Sequence, residues 1–367
     1  MRNPSWSIPL LIVCLGESVD AGTVHRRGGL PDIQGTIIAM DDAGISIRSN
    51  GSGVKLILWD QVRDIIPDQP DPSIESRLEI AEDLWRARSR IARGDLALAE
   101  PLLERLFERY RGKSNETALI VAEGLLRCRL DRGANLIAVI PFLEIARLHR
   151  KNIGTDRYAQ LEIIYDQKMS LCPLLAPIWI DREGSQRLIR DLEAYDSGED
   201  EVIDALVILF RQAALPAKQR QMDKTTSQLP RHPGIDFLRR LLETSSPDSQ
   251  KRQTARLRLN REIDDLPDWA ESWIRYQIGL SLLAEDDEDQ HQLGLVNLAH
   301  LPSRYSTTNP YLAGLALAGM IETLESRGNL QAAASLRAEL ERRFPGHPGL
   351  SKPIGEENKT MNNKEGV

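Results

Sequence analysis

The sequence predicts a mainly α protein in which helical hairpins follow one another behind a small antiparallel β module. Three observations carry the prediction. From Ile80 onward the apolar residues recur with a helical period, as in Ile80, Leu84, Ala87 and Ile91. Residues 33–66 instead hold short runs rich in β-branched residues, divided by turn chemistry. Aromatic residues make up only 5% of the 367-residue chain while Ala, Leu, Arg and Glu abound, which suits helices packed through small and aliphatic side chains. A chain of this length exceeds the size at which one core keeps growing, so several domains or a repeat array is expected.

Residues 1–21 have the layout of an export signal. Arg2 gives the positive start, Ile8 to Leu15 is a short apolar run, and Val19-Asp20-Ala21 approximates a small-residue cleavage site. The run is too short to span a bilayer, and no later segment is long and apolar enough to do so. An exported protein of the periplasm or cell envelope, without stable membrane insertion, is the expectation. Cys14 lacks the small preceding residue of a lipoprotein acceptor site. Cys128 and Cys172 would remain after cleavage, and an exported location permits a disulfide between them. Cys128 falls on the apolar side of a predicted helix, where a small buried thiol is the commoner reading, so the pairing stays open.

Residues 22–32 read as a spacer. Ile33 to Met40, Ile45 to Arg48 and Val54 to Trp59 then read as strands, separated by Asp41-Asp42-Ala43-Gly44 and Asn50-Gly51-Ser52-Gly53, which tolerate the positive φ of tight turns. In the third run Val54, Leu56 and Leu58 form a uniformly aliphatic face and Lys55, Ile57 and Trp59 a mixed one. Three strands make a thin core, so Val62, Ile65 and Ile66 are expected to close it. By pattern alone this module resembles the small SH3-like or Sm-like barrels found beside export signals. The resemblance implies peptide or RNA binding, but Asp41, Asp42, Asp60 and Asp64 offset Arg48, Lys55 and Arg63, so a packing or adaptor role is expected. Three prolines in Pro67 to Pro72 stiffen a linker over residues 67–78, and Ser73 is a candidate N-cap with Glu75 in the first turn.

The helical region, residues 79–346, opens with the stripe Ile80 to Ile91 and continues with Leu98, Leu102, Leu106 and Phe107. Between them Gly94 can end a helix in the left-handed conformation, and Ala99 is small enough for close helix approach. The arrangement recurs as Gly133 with Ala138 and as Gly328 with Ala333. Leu103 and Phe142 supply a large apolar residue four positions beyond the alanine, and Pro345 follows Phe344 at the close of the last unit. On these residues the chain resembles the tetratricopeptide-repeat superfamily, which implies a TPR-like α-solenoid of helix hairpins. Departures are plain. Arg337 stands for the large apolar residue in the last unit, Arg111 and Arg150 for the closing prolines, Leu126 and Ile321 for the small residue kept as Ala87, and Leu106, Ile145 and Leu340 for a second small residue. About four further units fit between Gly133 and Gly328 at roughly 34 to 40 residues each. Helices are expected near 156–170, 184–195, 200–214, 234–244, 249–264, 268–284, 289–300, 311–326 and 330–343, with Pro173, Pro177, Pro216, Pro230 and Pro233 making the middle irregular. Residues 347–367 read as a disordered tail.

The sequence shows little chemistry. His25, His149, His232, His291, His300 and His347 are scattered without zinc-site spacing, and the acidic run Glu285 to Asp289 lacks the alternation of a calcium loop. No nucleophile elbow, phosphate-binding glycine loop or dinucleotide fingerprint occurs, so no enzyme activity and no cofactor are expected. The formal net charge of -7, with both signs interleaved, argues against nucleic acid as a partner.

Lys251, Arg252, Arg256, Arg258 and Arg261 crowd one predicted helix, with Arg252 and Arg256 on one stripe and Lys251 and Arg258 on another. They are candidate contacts for an acidic peptide or anionic envelope polymer. Trp269 and Trp273, one turn apart beside Tyr276, read as inter-helix packing or as an aromatic anchor for a peptide. The functional expectation is an exported, non-catalytic scaffold that binds a protein or peptide partner in a helical-repeat groove through Lys251, Arg252, Arg256, Arg258, Trp269 and Trp273. The rival is an enzyme accessory or hydrolase with an inconspicuous site, which a histidine or carboxylate in a deep pocket would favour. Oligomeric state is open.

Overall fold

Runs rich in β-branched residues give the first of two units, Met1–Trp85; the second is Arg86–Val367. The computed structural model describes residues 22–49, 53–179, 182–216, 219 and 229–350. The expected export signal with Cys14, residues 50–52 of the expected second turn, and residues 351–367 of the expected tail lie outside the described residues. Among the described residues no helix is long and apolar enough to cross a membrane.

The first unit is one antiparallel sheet in the order β4-β3-β2-β1-β5. Its strands are β1 (Gly22–Arg26), β2 (Ile33–Met40), β3 (Gly44–Arg48), β4 (Val54–Leu58) and β5 (Val62–Ile66). The segment expected as a spacer therefore holds a strand: β1 pairs with both β2 and β5, as an interior strand of the thin sheet. The aliphatic face expected in β4 is not the buried one. Val54 and Leu56 are exposed, whereas Ile57, opposite Ile45, is fully buried, and a 3-10 turn at Trp59–Gln61 swings Trp59 inward. There the Trp59 indole N–H donates to the Asp41 carbonyl at 2.8 Å, satisfying its polar atom inside a core of Val24, Ile45, Ile47, Ile57 and Val62. A Cβ at Gly44 would lie 2.2 Å from the Ile57 carbonyl, so the glycine is what lets β3 and β4 close their register.

Helix α1 (Ile74–Ile91) starts inside the stretch expected as linker and carries the chain from one unit to the other. The Ser73 carbonyl accepts the first-turn N–H of Arg77, while its hydroxyl accepts from the Arg77 guanidinium. The second unit continues with α2 (Leu96–Tyr110), α3 (Glu116–Asp131), α4 (Asn135–Arg150), α5 (Arg182–Glu193), α6 (Glu201–Ala214), α7 (Pro233–Glu243), α8 (Ser249–Glu262), α9 (Asp268–Leu283), α10 (Glu288–Arg304), α11 (Pro310–Ser326) and α12 (Leu330–Arg343). The molecule is thus mainly α with a small antiparallel sheet at its N-terminal end.

Three turns share one construction. Gly94, Gly133 and Gly328 have φ of 80°, 69° and 76°, and the residue after each donates to a carbonyl of the preceding helix: Asp95 to Arg90, Ala134 to Arg129, Asn329 to Leu324. Ala99, Ala138 and Ala333 behind these turns are buried, as close helix contact requires. The stripe of α2 is rotated from the expected one. Ala99, Leu103, Leu106 and Phe107 face inward, and Leu98 is 60% exposed; its carbonyl accepts from Arg90. Asn115, Asp200, Asp248, Asp287, Asn309 and Asn329 cap their helices through side-chain oxygens. A buried pair on α4 fastens the α2–α3 connection: Glu144 accepts from the Gly112 N–H and from Arg147, which also donates to the Lys113 carbonyl and Ser114 hydroxyl.

The helix expected near 156–170 does not form. Residues 151–179 carry turns and one isolated bridge, Asp166 with Leu171. Buried residues in this segment, Tyr158, Ile164, Met169, Leu171, Cys172 and Leu175, follow no helical period, and the backbone bonds to side chains from the helices instead. At the other end His347 is buried, where the tail was expected to begin. Its ring accepts the Gly349 N–H, contacts the Tyr311 carbonyl, and occupies the space a Cβ at Gly314 would need. Replacing Ala99 or Ala138 by Leu should overpack these hairpins and cost about 1–3 kcal/mol; denaturant unfolding of the two variants checks this, and unchanged midpoints in both would refute the assigned helix contacts.

Candidate partner-binding clefts

The basic run on α8 folds into two different environments. Arg252 and Arg256 lie on the stripe facing α9 and converge on Glu285, at 2.7 Å each, and Ser249 and Ser281 add hydroxyl contacts to the cluster. Both guanidiniums are largely enclosed, and the Glu285 carboxyl is held down at about 2 by its hydrogen bonds from Arg252 and Arg256. Both residues proposed as partner contacts are thus engaged within the protein, joining α8 to the end of α9. Lys251 and Arg258 follow the other stripe and line one open cleft with Pro247 and Thr254, as the helical spacing required.

The tryptophan pair is likewise structural. Trp273 is fully buried and its indole N–H donates to the Pro173 carbonyl at 2.9 Å; that of Trp269 donates to the Asp166 carboxylate at 3.0 Å. The rings meet edge to face at 5.0 Å, and Phe237 of α7 packs on both. An exposed aromatic anchor is therefore not what these residues make. They hold the nonhelical segment 151–179, which also receives Asn135 at Leu174, Arg127 at Glu162 and Tyr311 at Ile178, and gives the Tyr158 hydroxyl to the Ile120 carbonyl.

Beside that segment opens a cleft of about 460 Å³, within the usual range for ligand sites. The α1–α2 and α3–α4 turns, the loop around Leu161 to Ile164, and the start of α11 form its walls, with Leu96, Leu130, Leu161 and Pro310 as apolar lining. Asp131 and Glu162 are exposed on it, and Arg127, which also lines it, is paired with Glu123. Asn135 and Tyr311 belong both to this cleft and to an adjoining one of about 270 Å³ lined by Arg187 and Pro348. Asn135 is 1% exposed. Its amide nitrogen donates to the Leu174 carbonyl, which fixes the other terminal atom as oxygen, and that oxygen has no partner. A buried acceptor without a donor is uncommon.

A further, polar cleft of about 390 Å³ gathers His149 and Arg150 from the end of α4, Tyr165 and Ser170 from the nonhelical segment, and His232 at the start of α7. His149 stacks on Tyr165 at 4.5 Å. Ser170 is buried with φ 52°, the left-handed residue of the turn closed by Asp166 and Leu171. Its hydroxyl lies 3.4 Å from the His232 Nε2, while His232 Nδ1 accepts the Gly234 N–H and caps α7. With Nδ1 an acceptor, the neutral ring carries its proton on Nε2, so His232 donates toward Ser170 and offers it no base. Burial lowers the pKa of His149, and burial with the Arg150 charge lowers that of His232. Arg150 itself is bound by Asp200 at 2.8 Å.

Cys128 and Cys172 are free and buried, each thiol pushed up to about 12 by desolvation, which makes them unreactive core residues. Among the described residues no three His, Cys, Asp or Glu side chains gather where a metal ion could be held. Sequence reasoning missed Asn135, Tyr165, Ser170, His232 and Tyr311 because they meet through a segment with no helical or strand period. Comparison of the chain with family models, curated proteins and solved structures finds no match.

Two outcomes follow. Glu285→Ala leaves two enclosed guanidiniums without their carboxylate and should cost about 3 kcal/mol in denaturant unfolding. His149, His232 and His347 are all harder to protonate folded than unfolded, so their neutral forms stabilise the fold above the ordinary histidine value of about 6.5, and stability falls as pH drops below it. Thermal unfolding at pH 7.5 and 5.5 should show that fall, and His232→Asn, which keeps a capping side chain, should reduce it.

Proposed function

We propose that this chain is an exported, non-catalytic scaffold that receives an extended segment of a protein partner in the cleft beside Asn135. The unpartnered, buried Asn135 oxygen carries the reading, since a peptide N–H is the donor such an acceptor lacks. Apolar walls suit aliphatic side chains of that segment, and Asp131 and Glu162 favour basic residues flanking them. Recurrent glycine turns with buried alanines support the tetratricopeptide-like resemblance, and the pairing of β1 with β5 is compatible with the SH3-like or Sm-like one. Export rests on Arg2, the Ile8 to Leu15 run and Val19-Asp20-Ala21.

The hydrolase reading draws on the Ser170–His232 contact, but the acceptor role of His232 Nδ1 leaves Ser170 without a base. A peptide-display selection on the intact protein should enrich aliphatic segments flanked by Lys or Arg. Charge reversal at Asp131 and Glu162, both exposed, should weaken the selected peptides at least tenfold in fluorescence anisotropy without lowering the melting temperature. No selected peptide, or labelling of Ser170 by a fluorophosphonate, would overturn the scaffold reading.

A further inference from the structure

The first unit holds a positively charged cleft of its own. The strand-like β1 ends in a register shift between His25 and Arg26, which brings Arg26 and Arg27 into the wall of a cleft of about 480 Å³. Arg63 of β5 lines the same cleft, so three guanidiniums and one carboxylate, Asp32, face it. Both oxygens of Asp32 are already engaged, one by the His25 ring and one by the Arg26 N–H. Arg27 is committed too: it donates to the Val62 carbonyl, pairs with Glu82, and stacks 4.5 Å over the Trp85 ring.

Arg26 and Arg63 are different: among the described residues neither forms an ion pair, although the Arg63 charge acts on Asp32 across the cleft, and the Arg26 Nε is buried without an acceptor. Gly28 and Gly29 follow in the left-handed conformation, φ 71° and 72°, and their amides donate no hydrogen bond among the described residues. A Cβ at either position would meet nothing within 4 Å, so the glycines serve the backbone conformation. Unpaired guanidiniums beside free backbone N–H groups form the donor set that tetrahedral oxyanions take, with charge-assisted bonds and bidentate geometry.

We propose that this cleft binds a phosphate group, with Arg26 and Arg63 as its charged contacts and the Gly28 and Gly29 amides as backbone donors. The full chain labelled with [15N]glycine tests it. Inorganic phosphate should shift the Gly28 and Gly29 amide resonances saturably, beyond any change from sodium chloride at matched ionic strength. Arg26→Ala should weaken the response at least tenfold, and so should Arg63→Ala, whose side chain is exposed and leaves the sheet intact. Phenyl phosphate binding more tightly than inorganic phosphate would assign the site to organic phosphates, against Leu30 and Pro31; equal binding would assign it to the free ion. A response matched by chloride, or one unchanged in Arg63→Ala, would overturn the proposal.

Discussion

The helical unit depends on a stretch of backbone that is not helical. Residues 151–179 bury Leu171, Cys172 and Leu175 among the helices, and peptide groups cannot be buried unpaired without a cost of about 1–3 kcal/mol each. Their acceptors are met by Asn135, Arg127, Trp273 and Tyr311, from four different helices. Gly234 shows how close the approach is, since a Cβ there would stand 1.8 Å from the Met169 carbonyl. The two tryptophans are spaced to reach this segment, which explains an aromatic pair in a chain otherwise poor in large rings.

Charge is used in the same economical way. Glu100 of α2 binds Arg132 at the end of α3, Glu285 binds Arg252 and Arg256 of α8, and the Glu144–Arg147 pair within α4 fastens the α2–α3 connection. Such pairs fix which surfaces meet more than they add stability, because desolvation offsets much of the Coulomb attraction. Outside these pairs, Arg258 of α8 lines one cleft, Arg26 and Arg63 line that of the sheet unit, and Asp131 and Glu162 lie on the rim of the apolar cleft.

Much of the fold was legible. Turn glycines at 94, 133 and 328, the alanines behind them, and nearly all helix positions follow from apolar period and capping chemistry, both of which act locally. The site was not. Asn135 reads as an ordinary helix start, and Ser170 and His232 acquire meaning only when a distant hairpin and helix cap come together. The α8 cations could be divided between two stripes, but the partner of Arg252 and Arg256 could not be named, because Glu285 lies about thirty residues on, past the end of α9. β1 was missed for a related reason: Gly22 to Arg26 lacks alternation and becomes a strand through its two neighbours.

The threaded segment also changes how the helical unit must come apart. In a linear array each hairpin touches only its neighbours, and stability is close to a sum of local terms. Here one stretch of chain bonds to α3, α4, α9 and α11, while Pro348 and Tyr311 lie against Gly133. Fraying from either terminus therefore strips contacts from the middle, and early and late hairpins stand or fall in a single cooperative event.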